Sequence, residues 1–576
     1  MEKKEKLVKI RHSLSHLMSM AIQELYPQVG LGVGPAIDDG FYQDYDLPEK
    51  ITPEILPKLE KRIKEMIKEN IEFKQHDVDF SEAYKFYKHD PYKTWFIDDL
   101  KTQGEKKVSF YKSDWFDNLC GGPHIDSTKE IDPKAFKLDR IAGAYWLGDE
   151  KNKMLTRIYG LAFENKEELD AYLKQREEAE KRDHKKLGKE LGLLMFHETA
   201  PGMPYWLPKG LLIYKELENY WRSEHAKMGY QEIMSPLINK SELWKISGHW
   251  DHYKDDMFIA DMGENEVYGI KPMNCPNAML VFESMQLSYK NLPLRLSDTD
   301  RLHRYERSGT LNGLLRCRSF QQDDSHNFIT EDMIASEYEH IMEVCKNFYG
   351  IFGLEYKFRL GTRPEGYLGE IETWNNAEKI LKAILEKSGK EYSIAEGDGA
   401  FYGPKIDIIM KDAIGRDWQM GTMQLDFQLP KRFNLEYTDR DGKRKTPVVI
   451  HRVIYGSLER FMGIMIEHYA GAFPLWLSPV QVKVIPVRTN HNEYAKEIFN
   501  LLKENNIRAE LDDEEANLGG KVRDAKNNKI PYWIVIGDKE IEAGKITLES
   551  HDHGQLGQIS KEELAEKLLE EIKNKK

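Results

Sequence analysis

The stretch Arg301–Phe328 reads RLHRYERSGTLNGLLRCRSFQQDDSHNF. Two polar-rich runs flank a loop containing Asn312-Gly313, a pattern that predicts an antiparallel hairpin. With a side-chain period of two, Arg316, Arg318, Phe320, Gln322, Asp324 and His326 share one face of the second strand. Such a face is a poor core, because guanidinium, carboxylate and imidazole groups are costly to bury without partners. A solvated sheet face is the plain alternative. The other reading is a ligand platform about 33 Å long at roughly 3.3 Å per residue, with phosphate-binding forks at one end, an aromatic stacking surface between, and a metal-capable end. Arg304 and Glu306 share a face of the first strand. Several arginines on one sheet face favour a nucleotide, since guanidinium offers bidentate donors to phosphate.

Upstream, KPMNCPNAML (Lys271–Leu280) places Cys275 between two prolines with no second cysteine nearby. His326 and His451, the latter ending PVVIH, are possible partners, and a Cys/His/His set leaves a fourth tetrahedral position open, as a substrate-binding zinc needs. Spacing alone does not join the three, because a lone cysteine ordinarily serves as a small buried hydrophobe. Near the N-terminus, His12 and His16 stand at i, i+4 on a helix face, and Cys120 and His124 at CxxxH spacing. The helical pair is not a zincin motif, since Ser13 occupies the position of the general-base glutamate.

A chain of 576 residues exceeds one hydrophobic core and predicts three or four domains. No run approaches the roughly 18 apolar residues of a membrane span, and no apolar segment follows Met-Glu-Lys-Lys to make a signal peptide. Four cysteines are too few for a disulfide framework in a chain this long and point to a reducing, cytoplasmic setting. A net charge of -13 argues against indiscriminate nucleic-acid binding, although a local basic patch still guides a polyanion.

Texture divides the chain into four segments. Residues 1–165 combine a short amphipathic helix (Leu14, Leu17, Ala21, Leu25) with glycine-rich turns, an α+β domain. Residues 166–195 read as a solvated connecting helix. Residues 196–477 form a central domain: a helix from Leu211 to about Met228, strands and hairpins as far as Gln428, then strand and helix in TPVVIHRVIYGSLERFMG. In residues 478–576 short apolar strands (VKVIPV, PYWIVIG) alternate with helices, a small α/β module.

HRYERSGTLNGLLRCRSFQQDDSH with GSLERFMG resembles motifs 2 and 3 of class II aminoacyl-tRNA synthetases. KPMNC, GAFYGPKID and WQMGTMQLDF are similar to threonyl-tRNA synthetases, and RHSLSHL with CGGPHID resembles that family's editing domain. The resemblance runs from about residue 11 to the C-terminus. It implies an α+β multidomain protein with a class II antiparallel-sheet catalytic core, an N-terminal α+β editing domain and a C-terminal α/β anticodon-binding domain. It further implies a homodimer joined through the helix at about Leu211 to Pro236, with tRNA(Thr), L-threonine and ATP-Mg2+ as partners. One Zn2+ per chain would be held by Cys275, His326 and His451, binding the amino and hydroxyl groups of threonine and so rejecting valine.

Carried over by position, Arg304 would hold the α-phosphate, Glu306 would read the adenine, Phe320 would stack on it, and Arg316 and Arg460 would flank the tail phosphates. Ser457, Gln419 and Lys405 match family positions near the site, and Gln322, Asp324, Tyr402 and Gln424 would surround threonine. His249, in SGHWDHY, matches the histidine that assists transfer to the tRNA ribose. Gln419 and Gln424 are five apart, so a regular strand would point them to opposite faces, and a bulge near Gly421 is expected if both line the site.

Serine lacks only a methyl of threonine, a difference worth about 1–3 kcal/mol, so a second site is needed. The resemblance assigns His12, His16, Cys120 and His124 to hydrolysis of Ser-tRNA(Thr) by a metal-free route; a second zinc is the alternative. Asn118 and Gly121 depart from the acid and base that many members carry there, and the eleven residues before His12 leave no room for the family's TGS domain. Glu540 matches a family position in the anticodon module, whereas Glu549 stands where some members have arginine. The competing readings are another class II ligase and a non-catalytic RNA-binding paralogue.

Overall fold

A computed structural model describes residues 2–264 and 266–576. The chain forms two compact units that divide between Glu177 and Glu178, inside the helix Lys166–Lys181.

In the N-terminal unit the helix Glu2–Leu25 is longer than the short one expected. It buries Leu14, Leu17 and Ala21, while Leu25, its last residue, is exposed. The helix packs on helix Leu56–Lys68 and on strand Gly40–Asp46 of an antiparallel sheet completed by Met154–Ala162 and Phe136–Tyr145. A second antiparallel sheet, Phe73–Val78, Val108–Ser113 and Phe116–Leu119, delivers the chain to Cys120.

The second unit is built on eight strands in the order Gln231–Ile233, Leu294–Asp298, Asp324–Ile329, Val448–Val453, Asp417–Asp426, Lys405–Lys411, Tyr356–Gly361, Tyr392–Ala395. The two outermost pairings are parallel and the others antiparallel. Helix Pro208–Lys227 appears where the 3.6-residue pattern places it. The region read as strands and hairpins also contains helices Ile334–Gly350 and Ile371–Ser388. Their apolar residues recur at three and four, as in Ile334, Tyr338, Ile341, Cys345 and Phe348, and that stripe is buried in the largest core cluster.

The hairpin exists, but as a three-residue ladder in which Leu302 opposes Phe320. The continuous platform expected beyond it does not. After Gln321 the chain leaves this ladder, Gln322 bridges to Ser457, and the strand resumes at Asp324 in the main sheet. Arg318 departs from the expected face as well: its Nε donates to the Glu306 carbonyl oxygen at 2.9 Å, and its guanidinium packs on Tyr305.

The connecting segment is helical, but from His184 onward it is not a solvated spacer, since His184, Leu187 and Leu191 are buried. In the C-terminal module Val482–Pro486 pairs in parallel with Ala509–Leu511 and Tyr532–Ile536, and Ile546–Ser550 and Gly554–Ile559 extend the sheet antiparallel. Glu540 caps the backbone N–H of Gly537, and Glu549 accepts from the indole of Trp533. No helix among the described residues is long and apolar enough to cross a membrane, and all four cysteines are free.

A bulge lies where parity required it. Asp407 opposes Thr422 and Ile409 opposes Gln419, so Met420 and Gly421 together face Ile408. A Cβ on Gly421 would lie 2.4 Å from the Val453 carbonyl oxygen and 2.6 Å from that of Ile454. Gly421→Ala is therefore expected to destabilise the second unit by about 1–3 kcal/mol, the usual range for overpacking. Denaturant unfolding of the full chain measures it, and an unchanged midpoint would contradict the close approach.

Candidate active site

The metal-capable residues come from three elements. Cys275 opens helix Cys275–Glu283, whose first turn is fixed by Pro276, while His326 and His451 oppose one another on adjacent central strands. Their candidate donor atoms all lie within 4.8 Å of one another, and all three residues are buried. Burial pushes the Cys275 thiol up, with Asp324 and Asp426 adding to it. Burial pushes the His326 imidazole down, helped by His451. His326 Nδ1 is buried without a hydrogen-bond partner, and the Asp426 carboxylate lies 2.8 Å from His451 Nε2. An orphaned imidazole nitrogen, a buried thiol and a histidine backed by a carboxylate fit a zinc ion. Asp426 was missed in the sequence, although it lies two residues beyond Gln424 and hence on the same strand face.

Around this set, Asn274 Nδ2 donates to Asp324 at 3.1 Å, and burial pushes the Asp324 carboxyl up to about 6. The Tyr402 hydroxyl donates to Gln424, which opposes His451 across the sheet. His249 is fully enclosed, its Nε2 3.9 Å from Cys275 Sγ and its Nδ1 2.8 Å from Ser247 Oγ. Burial pushes it down to about 3.

Beyond the metal end lies a cleft of about 440 Å³. Arg304, Glu306, Arg316, Phe320, Gln322, Gln419, Ser457 and Arg460 all line it. The Arg304 guanidinium sits 5.1 Å from the Phe320 ring, and Glu306 accepts from Arg316 Nε at 2.8 Å. Ser457 Oγ caps helix Leu458–His468 by accepting the Arg460 N–H at 3.0 Å. Arg460 has a buried Nε without a partner, and burial followed by Arg316 lowers its pKa. Lys405 is not in the cleft wall; its ammonium is held 3.1 Å from Asp398 and 3.3 Å from Asp407. Arg359, absent from the sequence reading, donates to Gln419 at 2.7 Å and to Asp407 at 2.8 Å. Lys271, also missed, is fully buried with its ammonium 2.7 Å from Asp300.

In the N-terminal unit, Cys120 Sγ lies 3.4 Å from His12 Nε2 and 3.3 Å from His124 Nε2, with His16 in the same cluster. His124 Nδ1 is 3.0 Å from Ser13 Oγ, so the serine that breaks the zincin pattern orients a histidine instead. Asn118 Nδ2 approaches His16 Nε2 at 3.5 Å. Burial pushes the Cys120 thiol up and the His124 imidazole down to about 2.

Three family models match the chain: tRNA synthetase class II core domain (G, H, P, S and T) over residues 258–469, anticodon binding domain over 481–571, and threonyl and alanyl tRNA synthetase second additional domain over 108–159. Threonine–tRNA ligase of Clostridium botulinum is 51% identical over 98% of this chain and 89% of its own length. The chain belongs to the threonine–tRNA ligase family. The ligase of Clostridium tetani is 50% identical over 98% of this chain and 88% of its own. Among solved structures, the RNA binding domain of threonyl-tRNA synthetase from Cryptosporidium parvum is similar, with a TM-score of 0.65 and 41% identity over 67% of this chain and 98% of that one. The class II core and the editing-type and anticodon-binding domains expected from the sequence are those that match.

The buried histidines of the N-terminal unit, all pushed down by burial, predict acid sensitivity there. Unfolded His124 takes up a proton below about 6.5, whereas the folded residue does not until about 2. The folded state thus binds fewer protons, and stability present above pH 6.5 is lost as pH falls, by about 1.4 kcal/mol per pH unit. Thermal unfolding at pH 7 and pH 5 is expected to show a smaller loss for His124→Gln than for wild type; equal losses would contradict the buried neutral imidazole.

Proposed function

We propose that the chain ligates L-threonine to tRNA(Thr) through a threonyl-adenylate, reads threonine with zinc, and hydrolyses Ser-tRNA(Thr) in its N-terminal unit. The observation that carries the reading is that one chain segment, from Phe320 to His326, bears both a wall of the cleft lined by Arg304, Phe320 and Arg460 and a member of the buried Cys275/His326/His451 set. Zinc bound by the three donors would present open coordination positions to the amino and hydroxyl groups of threonine, which valine cannot fill.

The protein's own residues do the rest. Tyr402, Gln424 and Asp324 enclose threonine beside the metal set, and Gln322 stands where amino acid and nucleotide meet. ATP stacks its adenine on Phe320. Arg316 exchanges its contact with Glu306 for the tail phosphates, which frees the Glu306 carboxylate for the base. Arg304 holds the α-phosphate and Arg460 the leaving end, with Mg2+ carried in by ATP. The threonine carboxylate attacks the α-phosphorus, the new P–O bond forms as the bond to the β-phosphate oxygen breaks, and pyrophosphate leaves. Catalysis is mainly positioning and charge stabilisation. Lys405 acts from outside the cleft by fixing Asp398 and Asp407, and Arg359 orients Gln419. For transfer to the terminal ribose, His249 Nε2 turns from Cys275 toward the adenylate.

In the editing site His12, His16, Cys120 and His124 orient a water, and the reading is metal-free. The Gly122 N–H meets Cys120 Sγ at 3.3 Å and the Pro123 carbonyl oxygen holds His12 Nδ1 at 3.2 Å, contacts that fix the orientation of both side chains. The serine problem supplies the chemical need for this site. A homodimer is supported by exposed apolar side chains on the segment that follows helix Pro208–Lys227: Met234 is 87% exposed, and Ile238, Ile259 and Met262 are exposed on or next to the small sheet of strands Ile238–Lys240, Val267–Ile270 and Ile259–Asp261. Monomers rarely leave such a group uncovered.

Charging of tRNA(Thr) with labelled threonine tests the central claim. Arg304→Gln is expected to lower threonine-dependent ATP–pyrophosphate exchange about 100-fold or more. Cys275→Ala should lose both zinc and charging, and charging that survives loss of cysteine and metal overturns the zinc reading. Metal analysis of the wild type should give one zinc per chain; two, with one lost on Cys120→Ala, would replace the metal-free editing route. Ile238→Asp is expected to shift the solution mass to the monomer by light scattering, and an unchanged dimer would place the interface elsewhere.

A further inference from the structure

His184 lies in the connecting segment, outside every motif that carries the resemblance, yet it is 1% exposed. Its backbone N–H and its Nδ1 both meet Glu467 Oε1, at 3.2 and 2.7 Å, and Glu467 belongs to the motif 3 helix Leu458–His468. Its Nε2 accepts the backbone N–H of Leu314 at 3.0 Å, within the loop between the hairpin strands. An acceptor at Nε2 and a donor at Nδ1 specify one neutral tautomer, so the ring reads both partners at once.

The surroundings are shaped for this ring. A Cβ on Gly313 would lie 2.3 Å from His184 Nε2, and one on Gly463 would meet Leu314 Cβ at 3.0 Å and His184 Cδ2 at 3.6 Å. Gly313 also has φ +52°, where a side chain is strained. Lys185 Nζ donates to Asn312 Oδ1 at 3.2 Å, and Arg182 donates to the His468 carbonyl oxygen at 3.1 Å. The other oxygen of Glu467 accepts from Arg416, whose Nε donates to Asp412 at 2.6 Å; Asp412 in turn accepts from the Trp418 indole at 2.9 Å. Leu315 and Arg316 line one side of the nucleotide cleft and Trp418 and Gln419 another. His184 and Glu467 connect the two.

We infer that His184 is a positioning residue for ATP: through Leu314 it holds the loop that presents Arg316 to the cleft, with Glu467 as its fixed anchor. Asn312 and Gly313, read in the sequence as a turn signal, gain a second role as the seat of this clamp. The inference rests on the proposed ATP-dependent function, and its test separates the two.

Two substitutions divide the ring's contacts. The side-chain amide of asparagine overlays Nδ1 of histidine and that of glutamine overlays Nε2. His184→Asn therefore keeps the Glu467 contact and loses Leu314, whereas His184→Gln keeps an acceptor for Leu314 and remains anchored on Glu467 through its backbone N–H. In ATP–pyrophosphate exchange by the full-length chain, His184→Asn is expected to raise KM for ATP about fivefold, the size of one lost hydrogen bond, with KM for threonine unchanged. His184→Gln should rescue the ATP KM. Amide hydrogen exchange should accelerate at Leu314 in His184→Asn and not in His184→Gln. Equal effects of the two variants, an ATP and a threonine KM that rise together, or an equally protected Leu314 amide would each overturn the clamp. A wild type without threonine-dependent exchange would sink the functional reading instead, and the Leu314 amide would still decide the clamp.

Discussion

A carboxylate without access to solvent joins the two halves of the candidate active site. Asp323 accepts the backbone N–H groups of Ile454 at 2.9 Å and Tyr455 at 3.0 Å, and lies 3.4 Å from the buried guanidinium of Arg452. Ile454 and Tyr455 follow strand Val448–Val453 and precede helix Leu458–His468, so one side chain pins the break in the first strand to the strand-to-helix turn of the second. Burial pushes the Asp323 carboxyl up to about 7, opposed by Arg452 and the two N–H groups. An apolar residue there would strand two buried donors. The interaction is the reason Gln322 bridges to Ser457, with Phe320 on the nucleotide side and Asp324 and His326 on the metal side.

The sheet then spaces the chemistry. His326, His451 and Gln424 lie in one row across three neighbouring strands, so the candidate metal set and the residues proposed to enclose threonine share a level. The bulge at Met420–Gly421 lets a single strand serve both ends, Gln419 in the nucleotide cleft and Gln424 beside Tyr402. Backbone carbonyls crowd Gly421, so the bulge and the glycine belong together. Arg452 stands between His451 of the Cys/His set and Val453 of the cleft wall, and its contact with Asp323 ties both to the break in the first strand.

Two Cys/His clusters in one chain are built differently. The Cys275 set is wholly buried, joins the start of a helix to two adjacent strands and has a carboxylate behind His451, an arrangement that fixes the ring tautomer. The N-terminal set stacks its rings, with His12 and His124 centroids 4.1 Å apart, and includes partly exposed residues. Its histidines are depressed first by burial, which suits neutral groups that orient a water. Residue types are alike in the two clusters; burial and the second layer of contacts separate them.

The sequence by itself determined the helix carrying Leu14, Leu17 and Ala21, the antiparallel hairpin around Asn312-Gly313, and the need for a bulge near Gly421. Each follows from local periodicity, turn chemistry or strand parity, which act within a few residues. The motif resemblance named the residues of the cleft and both clusters. Only the tertiary structure decided that the hairpin face breaks at Asp323, that Arg318 turns to Glu306, and that Asp426, Arg359 and Lys271 support the site. It alone showed that the connecting segment is no spacer from His184 onward, where the buried ring meets Glu467 and the Leu314 N–H. These outcomes depend on partners outside the local pattern, from Glu306 for Arg318, twelve residues away, to Ile454 for Asp323 and Glu467 for His184, more than a hundred away, and no local pattern encodes a hydrogen bond that exists only once the chain has closed.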